Sequence, residues 1–246
     1  MIGFVRGHEY LDEQFLLEVK KIMVDDENHS DVVKEYEEQF EKMIGDGRGT
    51  TFASARMAFF SFLKALKIGI GDEVILPGFT CSVMPNAILR IGARPVYVDI
   101  NKENFAADPN LIKKKISSKT KLIVIQHSFG IPCDIEEIAR LAKQKGIYVL
   151  EDCAITFDSR YEGIRVGNFA DGAIFSTDHT KPLNTLVGGF FYSKNKTIFE
   201  EVKKIERASL FLKKSHRNEI FQRIIFERKY YCPKNYLKIP FVLFFE

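Results

Sequence analysis

The chain has 246 residues, 46% of them hydrophobic, enough to bury a substantial core in one α/β domain with some extra elements. Its 36 basic and 33 acidic side chains nearly balance, so no global charge draws it to nucleic acid, and no stretch is long and apolar enough to cross a bilayer. Cys81, Cys133, Cys153 and Cys232 form no CxxC pair and the N-terminus carries Arg6 and Glu9 with no apolar leader segment, which argues against a zinc site or disulfide framework and for the reducing cytoplasm.

Residues 10–44 place apolar side chains at helical spacing, in "FLLEVKKIM" and "VVKEYEEQFEKMI", around a break from Asp25 to Ser30. "GDGRGTTFASAR" reads as a glycine-rich turn leading into a helix over "MAFFSFLKALKIG", stopped by Gly69 and Gly71. Strand and helix signals then alternate. "DEVILP" is a strand, "SVMPNAILRIG" a helix, "RPVYVDI" a strand, "PNLIKKKI" a helix and "TKLIVIQHSFG" a strand. "DIEEIARLAKQKG" follows as a helix opened by Asp134, then "IYVLEDCA" as a strand, and "GAIFST" and "GGFFYS" complete the series. Beyond them, Lys203, Lys204, Arg207, Lys213, Lys214, Arg217, Arg223, Arg228 and Lys229 alternate with Phe, Ile and Leu, the pattern of solvated faces on amphipathic helices. The Asn-x-Ser/Thr triplets at Asn28 and Asn195 carry no expectation of glycosylation, and the closing run "IPFVLFFE" is exposed unless something covers it.

The strands are continuous apolar runs, so helices should cover both their faces, and the alternation of strand with helix predicts a doubly wound, mostly parallel sheet. Such sheets gather functional residues at the carboxyl ends of their strands. Here those ends carry "QHS" (126–128), "EDCA" (151–154) and "STDHTK" (176–181). Asp152 directly follows an apolar run, where a buried carboxylate needs a cationic or protonated partner; a helix cap and a metal ligand are the alternatives. Glu151 and Asp152 point in alternate directions along a strand, which makes them a poor metal pair. Lys181, by itself, reads as a surface lysine on a loop held out of helix by Pro182. A strand-end acid, a later lysine and a glycine-rich helix entry together suit pyridoxal phosphate chemistry. That chemistry needs a nucleophilic lysine, a carboxylate for the pyridine nitrogen, and a helix N-terminus for the phosphate, which "FASARMAFF" offers through Ser54, backbone N–H groups and Arg56.

The motifs "ASARMAFFSFLKALKIGIGDEVILPGFTCSVMPNAILRIGARPVYVDI", "HSFGIPCD", "VLEDCA", "YEGIRVGNFADGAIFS", "TDHTK" and "GGFF" run in order over residues 50–192. In that order and spacing the chain resembles the DegT/DnrJ/EryC1/StrS family, pyridoxal 5'-phosphate (PLP) dependent sugar aminotransferases of fold type I. The resemblance implies a three-layer αβα sandwich with a mostly parallel central sheet, the large domain of the aspartate aminotransferase fold. It implies an N-terminal helical segment over 1–48, a PLP-binding large domain over 49–200, and a helical segment over 201–246 that begins a truncated small domain. It also implies roles. Lys181 is the catalytic lysine and the proton carrier; Asp152 holds the pyridine nitrogen. Ser176, Ser54, Ala55 and Arg56 bind the phosphate, with Ala55 where a glycine is usual. An amino-acid donor, usually glutamate, then gives its amino group to a nucleotide-linked keto-sugar, in a cytoplasmic homodimer whose sites draw on both chains. A subset of the family has histidine at the lysine position and dehydrates instead; Lys181 favours transamination, with His179 close by.

The sequence departs from the family pattern in three places. Ile155 stands where His or Gln meets the cofactor's phenolic oxygen, and Cys81 where an aromatic ring often stacks on the pyridine. His127 is a candidate to fill one of these roles, beside the plainer reading of a strand-end histidine satisfied by a backbone carbonyl. Family members also continue for more than a hundred residues into a domain that closes the site. A catalytically impaired PLP-fold protein or fragment with a binding or regulatory role is therefore an alternative, and a PLP-independent nucleotide-binding domain built on "GDGRG" is a third, without a P-loop lysine.

Overall fold

The structure, a computed structural model, describes residues 13–24, 30–178, 180–210 and 213–230. The N-terminal charges at Arg6 and Glu9, Asn28, His179, Cys232 and the run "IPFVLFFE" lie outside the described residues.

The helical signals of the first 44 residues become α1 (Glu13–Val24) and α2 (Ser30–Ile44). The glycine-rich stretch that follows is more than a turn: Arg48–Phe52 forms a strand, β1, antiparallel to β9 (Gly189–Ser193). Its glycines leave room for aromatic rings. A β-carbon at Gly49 would lie 2.1 Å from the Phe190 ring, and one at Gly47 2.6 Å from that of Tyr192. Glycine therefore serves close packing here, which a sequence reading takes for a bend.

The remaining strands are β2 (Glu73–Pro77), β3 (Arg94–Val98), β4 (Thr120–Gln126), β5 (Tyr148–Asp152), the short hairpin β6 (Arg160–Tyr161) with β7 (Ile164–Arg165), and β8 (Gly172–Ser176). The hairpin is an addition to the expected series. The main sheet has seven strands in the order β1-β9-β8-β5-β4-β2-β3, parallel from β8 to β3 and antiparallel at the β8, β9 and β1 edge. β4 stops at Gln126, earlier than the apolar run suggests, because the chain turns through Ser128–Gly130 with Phe129 and Gly130 at positive φ.

Local capping explains where the helices begin. Ser54 opens α3 (Ala55–Ala65) by accepting from Met57 N; Asp108 opens α5 (Pro109–Lys115), and Asn195 opens α7 (Lys196–Arg207), each accepting from two backbone N–H groups. Asp134 precedes α6 (Ile135–Lys145) without a side-chain cap bond, and left-handed Gly146 ends that helix. With α4 (Val83–Arg90), these helices sort into two layers. Alternating strand residues such as Ile123, Ile125, Val149 and Phe175 pack with α2, α5 and α6; their neighbours Leu122, Val124, Leu150 and Ile174 pack with α3, α4 and α7. The result is the expected αβα sandwich. Phe40 of α2 anchors the first layer, its ring 4.1 Å from that of Phe190 and 5.5 Å from that of Phe175. α7 spans residue 200, the expected domain boundary, and joins the second layer through Ile198 and Val202.

α8 (Lys214–Tyr230) meets α1 in a small separate cluster, in which Leu16, Phe221 and Ile224 bury Leu186 of the loop between β8 and β9. Among the described residues no helix is long and apolar enough to cross a membrane.

Candidate active site

Strand alternation sends Gln126, Asp152 and Ser176 toward the α3 layer and His127 and Glu151 toward the α6 layer. Sheet register then links the first group to the start of α3. Asp152 pairs with Ile174, two residues before Ser176; Ser176 pairs with Gly189 across the β8–β9 ladder. Gly189 lies against the helix entry, for a β-carbon there would be 2.1 Å from Ala55 N and 2.2 Å from Ser54 C. So Asp152 and Ser176 stand at the carboxyl ends of neighbouring strands, and Gly189, across from Ser176, lies against Ser54 and Ala55.

The electrostatics of that edge suit an anion at one end and a cation at the other. α3 has no acidic residue in its first turn, where the leading backbone N–H groups of a helix lack intrahelical partners. Arg56 stands exposed on this turn and Ala55 is buried beneath it. Asp152 is 6% exposed, and its Oδ1 accepts from Ala154 N at 3.0 Å. Burial pushes its carboxyl above the usual carboxylate range, opposed by the Ala154 N–H, His127 and the positive charge of Lys181. Lys181 is half-buried, on a loop folded back on itself: its N–H donates to Asp178 O at 2.9 Å, and the Thr185 hydroxyl donates to Thr177 Oγ1 at 2.7 Å.

Next to this edge is a cavity of about 290 Å³, lined by Phe79, Thr80, Cys81, Gln126, Ser128, Phe129 and Ile155. Cys81 and Ile155, which depart from the family pattern, thus share its wall. Gln126 and the phenylalanines are lining residues that the motifs did not single out; the sole hint was the polar triplet closing β4.

His127 is elsewhere. Its ring is fully buried in the α6 layer, with Nε2 3.2 Å from Glu151 Oε2 and Nδ1 accepting from Cys133 N at 3.5 Å. It neither lines the cavity nor rests on a backbone carbonyl; its partner is a carboxylate. Glu151 also accepts from Gly167 N at 2.6 Å, Phe169 N at 2.8 Å and Ala170 N at 3.1 Å, so it holds down the loop that leads into β8. The side-chain donors of His127, Glu151 and Cys153 lie within 4.8 Å of one another. Glu151 is already engaged through both oxygens, and burial pushes the Cys153 and Cys133 thiols well up, which keeps them neutral. The trio reads as a hydrogen-bonded core.

A profile of the DegT/DnrJ/EryC1/StrS aminotransferase family matches residues 9–223. GDP-perosamine synthase of Escherichia coli O157:H7 is 38% identical over 168 residues, 68% of this chain and 46% of that protein. Among solved structures, an aminotransferase from Psychrobacter cryohalolentis superposes with a TM-score of 0.74 at 27% identity, covering 78% of this chain and 50% of that one. Spr1654 of Streptococcus pneumoniae, described as a sugar aminotransferase and solved in its PLP form, gives a TM-score of 0.66 at 29% identity over 70% of this chain and 49% of that one. The chain spans about half the length of the relatives it matches.

Proposed function

The chain belongs to the DegT/DnrJ/EryC1/StrS aminotransferase family, and from that premise we propose that it holds pyridoxal 5'-phosphate and takes part in moving an amino group from an amino acid, glutamate in our reading, to a nucleotide-linked keto-sugar. What supports this reading is the sheet register, which brings Asp152 and Ser176 to neighbouring strand ends and Gly189 against the start of α3, together with the charge of Lys181 acting on Asp152.

The residues fit the group. Asp152 is a buried acid short of a cation, and a protonated pyridine nitrogen is one. The first turn of α3, the Ser54 and Ser176 hydroxyls and the Arg56 guanidinium supply donors for a phosphate dianion. Bound there, PLP supplies an electron sink for negative charge developing at the donor's α-carbon. Asp152 would keep the ring nitrogen protonated. Lys181 would hold the cofactor through its amine, and that amine would also carry the proton to and from the reacting carbon. The 3.1 Å and 2.8 Å bonds from Gln126 Nε2 to Phe79 O and Ser128 Oγ fix the loops at the cavity mouth. We place the reaction in the cytoplasm, in a homodimer, with residues 49–200 as the cofactor-binding domain.

The cavity wall favours a second reading. Neither Ile155 nor Cys81 offers a hydrogen bond to a phenolic oxygen as His or Gln would, or a ring to stack, so a protein that binds PLP but turns over poorly is the alternative. One experiment separates the two. The purified chain is loaded with PLP and its absorbance recorded before and after glutamate, with Lys181→Ala alongside. A visible band that is absent in the variant and shifts with glutamate supports transamination. A band that glutamate leaves unchanged supports the binding protein, and no band at saturating PLP overturns both.

A further inference from the structure

Tyr36 stands on α2 with its ring in the first packing layer, 5.7 Å from the ring of Phe40 and edge-on to that of Phe190 at 6.4 Å. Its hydroxyl oxygen is enclosed, and among the described residues it has no hydrogen-bond partner. The group it meets is the side chain of Thr177. Burial pushes the phenol above its ordinary range and Thr177 opposes the rise, so the hydroxyl stays protonated and able to donate at neutral pH. A buried hydroxyl left unpaired has given up its hydration and gained no bond in exchange. It calls for a state of the molecule in which it is paired.

Thr177 forms the neck of the loop that carries Lys181. It directly follows Ser176, and strand alternation turns the two side chains to opposite layers, Ser176 toward α3 and Thr177 toward α2. The Thr177 N–H donates to Gly188 O at 3.1 Å and its carbonyl accepts from Thr185 N at 2.9 Å, which closes the loop on itself. The approach is tight: a β-carbon at Gly188 would lie 2.3 Å from Thr177 Oγ1 and 2.7 Å from Thr185 Oγ1. The Thr185 hydroxyl has one proton and three acceptors in reach, Thr177 Oγ1 at 2.7 Å, Thr177 O at 3.1 Å and Val187 O at 3.1 Å. It can therefore donate to a carbonyl and accept from Thr177, which leaves Thr177 Oγ1 ready to accept from Tyr36. The relay so formed runs from Tyr36 through Thr177 and Thr185 to the Val187 carbonyl, across the loop neck, with each bond polarising the next. Of these links, the one from Tyr36 to Thr177 is open.

We propose that Tyr36 is a positioning residue for Lys181, its hydroxyl closing this relay when Ser176 draws in to the phosphate of the cofactor. The inference rests on the cofactor reading of the preceding section and deepens it. A single peptide bond joins Ser176 to Thr177, so movement of Ser176 toward a phosphate carries Thr177 with it, while the Tyr36 ring is held by Phe40 and Phe190. In the paired state the neck of the loop is tied to α2 as well as to itself, and the Lys181 amine is held in place. Tyr36 acts through Thr177, from the opposite face of the sheet to Ser176.

Tyr36→Phe removes the hydroxyl and keeps the ring. The PLP-free variant should melt at or above the temperature of the parent, because no bond is lost there. Titration with PLP, followed by its visible band, should give a dissociation constant about 3- to 10-fold weaker than the parent's, and the rise in melting temperature on adding PLP should shrink with it. A tyrosine that only supports the fold would lower the melts with and without PLP alike and leave the PLP constant unchanged. That result overturns the proposal, as does a PLP-free melt below the parent's. Thr177→Val checks the partner: adding Tyr36→Phe to it should weaken PLP binding no further, and additive losses overturn the relay. A parent chain with no PLP band removes the cofactor reading and this inference with it. A parent band with unaltered PLP binding in Tyr36→Phe removes this inference and leaves that reading standing.

Discussion

Glu151 and Asp152 are neighbours in the chain whose carboxylates stand on opposite faces of the sheet under opposite conditions. Glu151 is met by the N–H groups of Gly167, Phe169 and Ala170 and by the His127 ring, whereas Asp152 is met by the N–H of Ala154 and left with its carboxyl pushed up by burial. One acid is used up in folding. The other is the acid that the proposed function assigns to the cofactor.

Glu151→Ala should therefore be among the most damaging single changes. It strands three backbone donors and the His127 N–H in a dry interior. Removing one side of such a buried network costs about 3–5 kcal/mol. Urea unfolding of the cofactor-free chain measures it, and Glu151→Gln, which keeps one acceptor oxygen, should fall between. A loss under about 1 kcal/mol would mean that these bonds do not hold the loop before β8.

Asp152→Asn should do the reverse in the cofactor-free chain. The folded carboxyl is raised above its ordinary value, so the folded state binds the proton more tightly than the unfolded state does. Stability is therefore lost as pH rises from the ordinary value through the raised one, and neutral pH lies above the start of that loss. The asparagine variant should melt higher than the parent at pH 7, with the gap closing below about pH 4, where both states are protonated. With PLP added the order should invert, because the amide cannot neutralise a pyridinium. Thermal melts across pH with and without PLP test both halves.

The contrast between these two acids also marks how far the sequence could be read. The alternation of apolar strands and capped helices is a local pattern, so the sandwich was visible in it. Asp152 and Ser54 could be named as candidates from their places beside apolar runs, and Ser176 from the family resemblance. Partners set by long-range packing could not. Nothing local says that Gly47 and Gly49 are thin to admit Tyr192 and Phe190, that the ring of His127 turns to Glu151, or that Gln126 braces three loops. Those depend on register between strands distant in the chain, which a single sequence does not display.

Gly189→Ala tests another close approach of that kind. The added methyl would sit 2.1 Å from Ala55 N, against backbone that has no rotamer with which to retreat. Relief requires β9 and the start of α3 to part. Overpacking of this kind costs about 1–3 kcal/mol, which is roughly 2–12 °C in melting temperature for a chain of this size. PLP affinity should fall as well, since the same shift moves the phosphate donors. Unchanged PLP binding in a destabilised variant would separate the helix entry from the cofactor.

Leu186 offers a test of the loop that carries Lys181. Its side chain is 8% exposed in the cluster with Leu16, Phe221 and Ile224, yet its backbone is left-handed at φ 69°. Packing by α1 and α8 therefore holds a leucine where glycine would sit more easily. Leu186→Ala loses the packing and keeps the backbone strain, for a cost of about 2–5 kcal/mol. Leu186→Gly loses the same packing but sheds a strain of about 1–2 kcal/mol, so glycine should be the milder substitution here, against its usual rank below alanine. Denaturant unfolding of the two variants gives the order directly, and limited proteolysis shows whether cleavage concentrates at residues 177–188. If alanine proves milder, the left-handed backbone is not a source of strain and the clamp by α1 and α8 is not what fixes it.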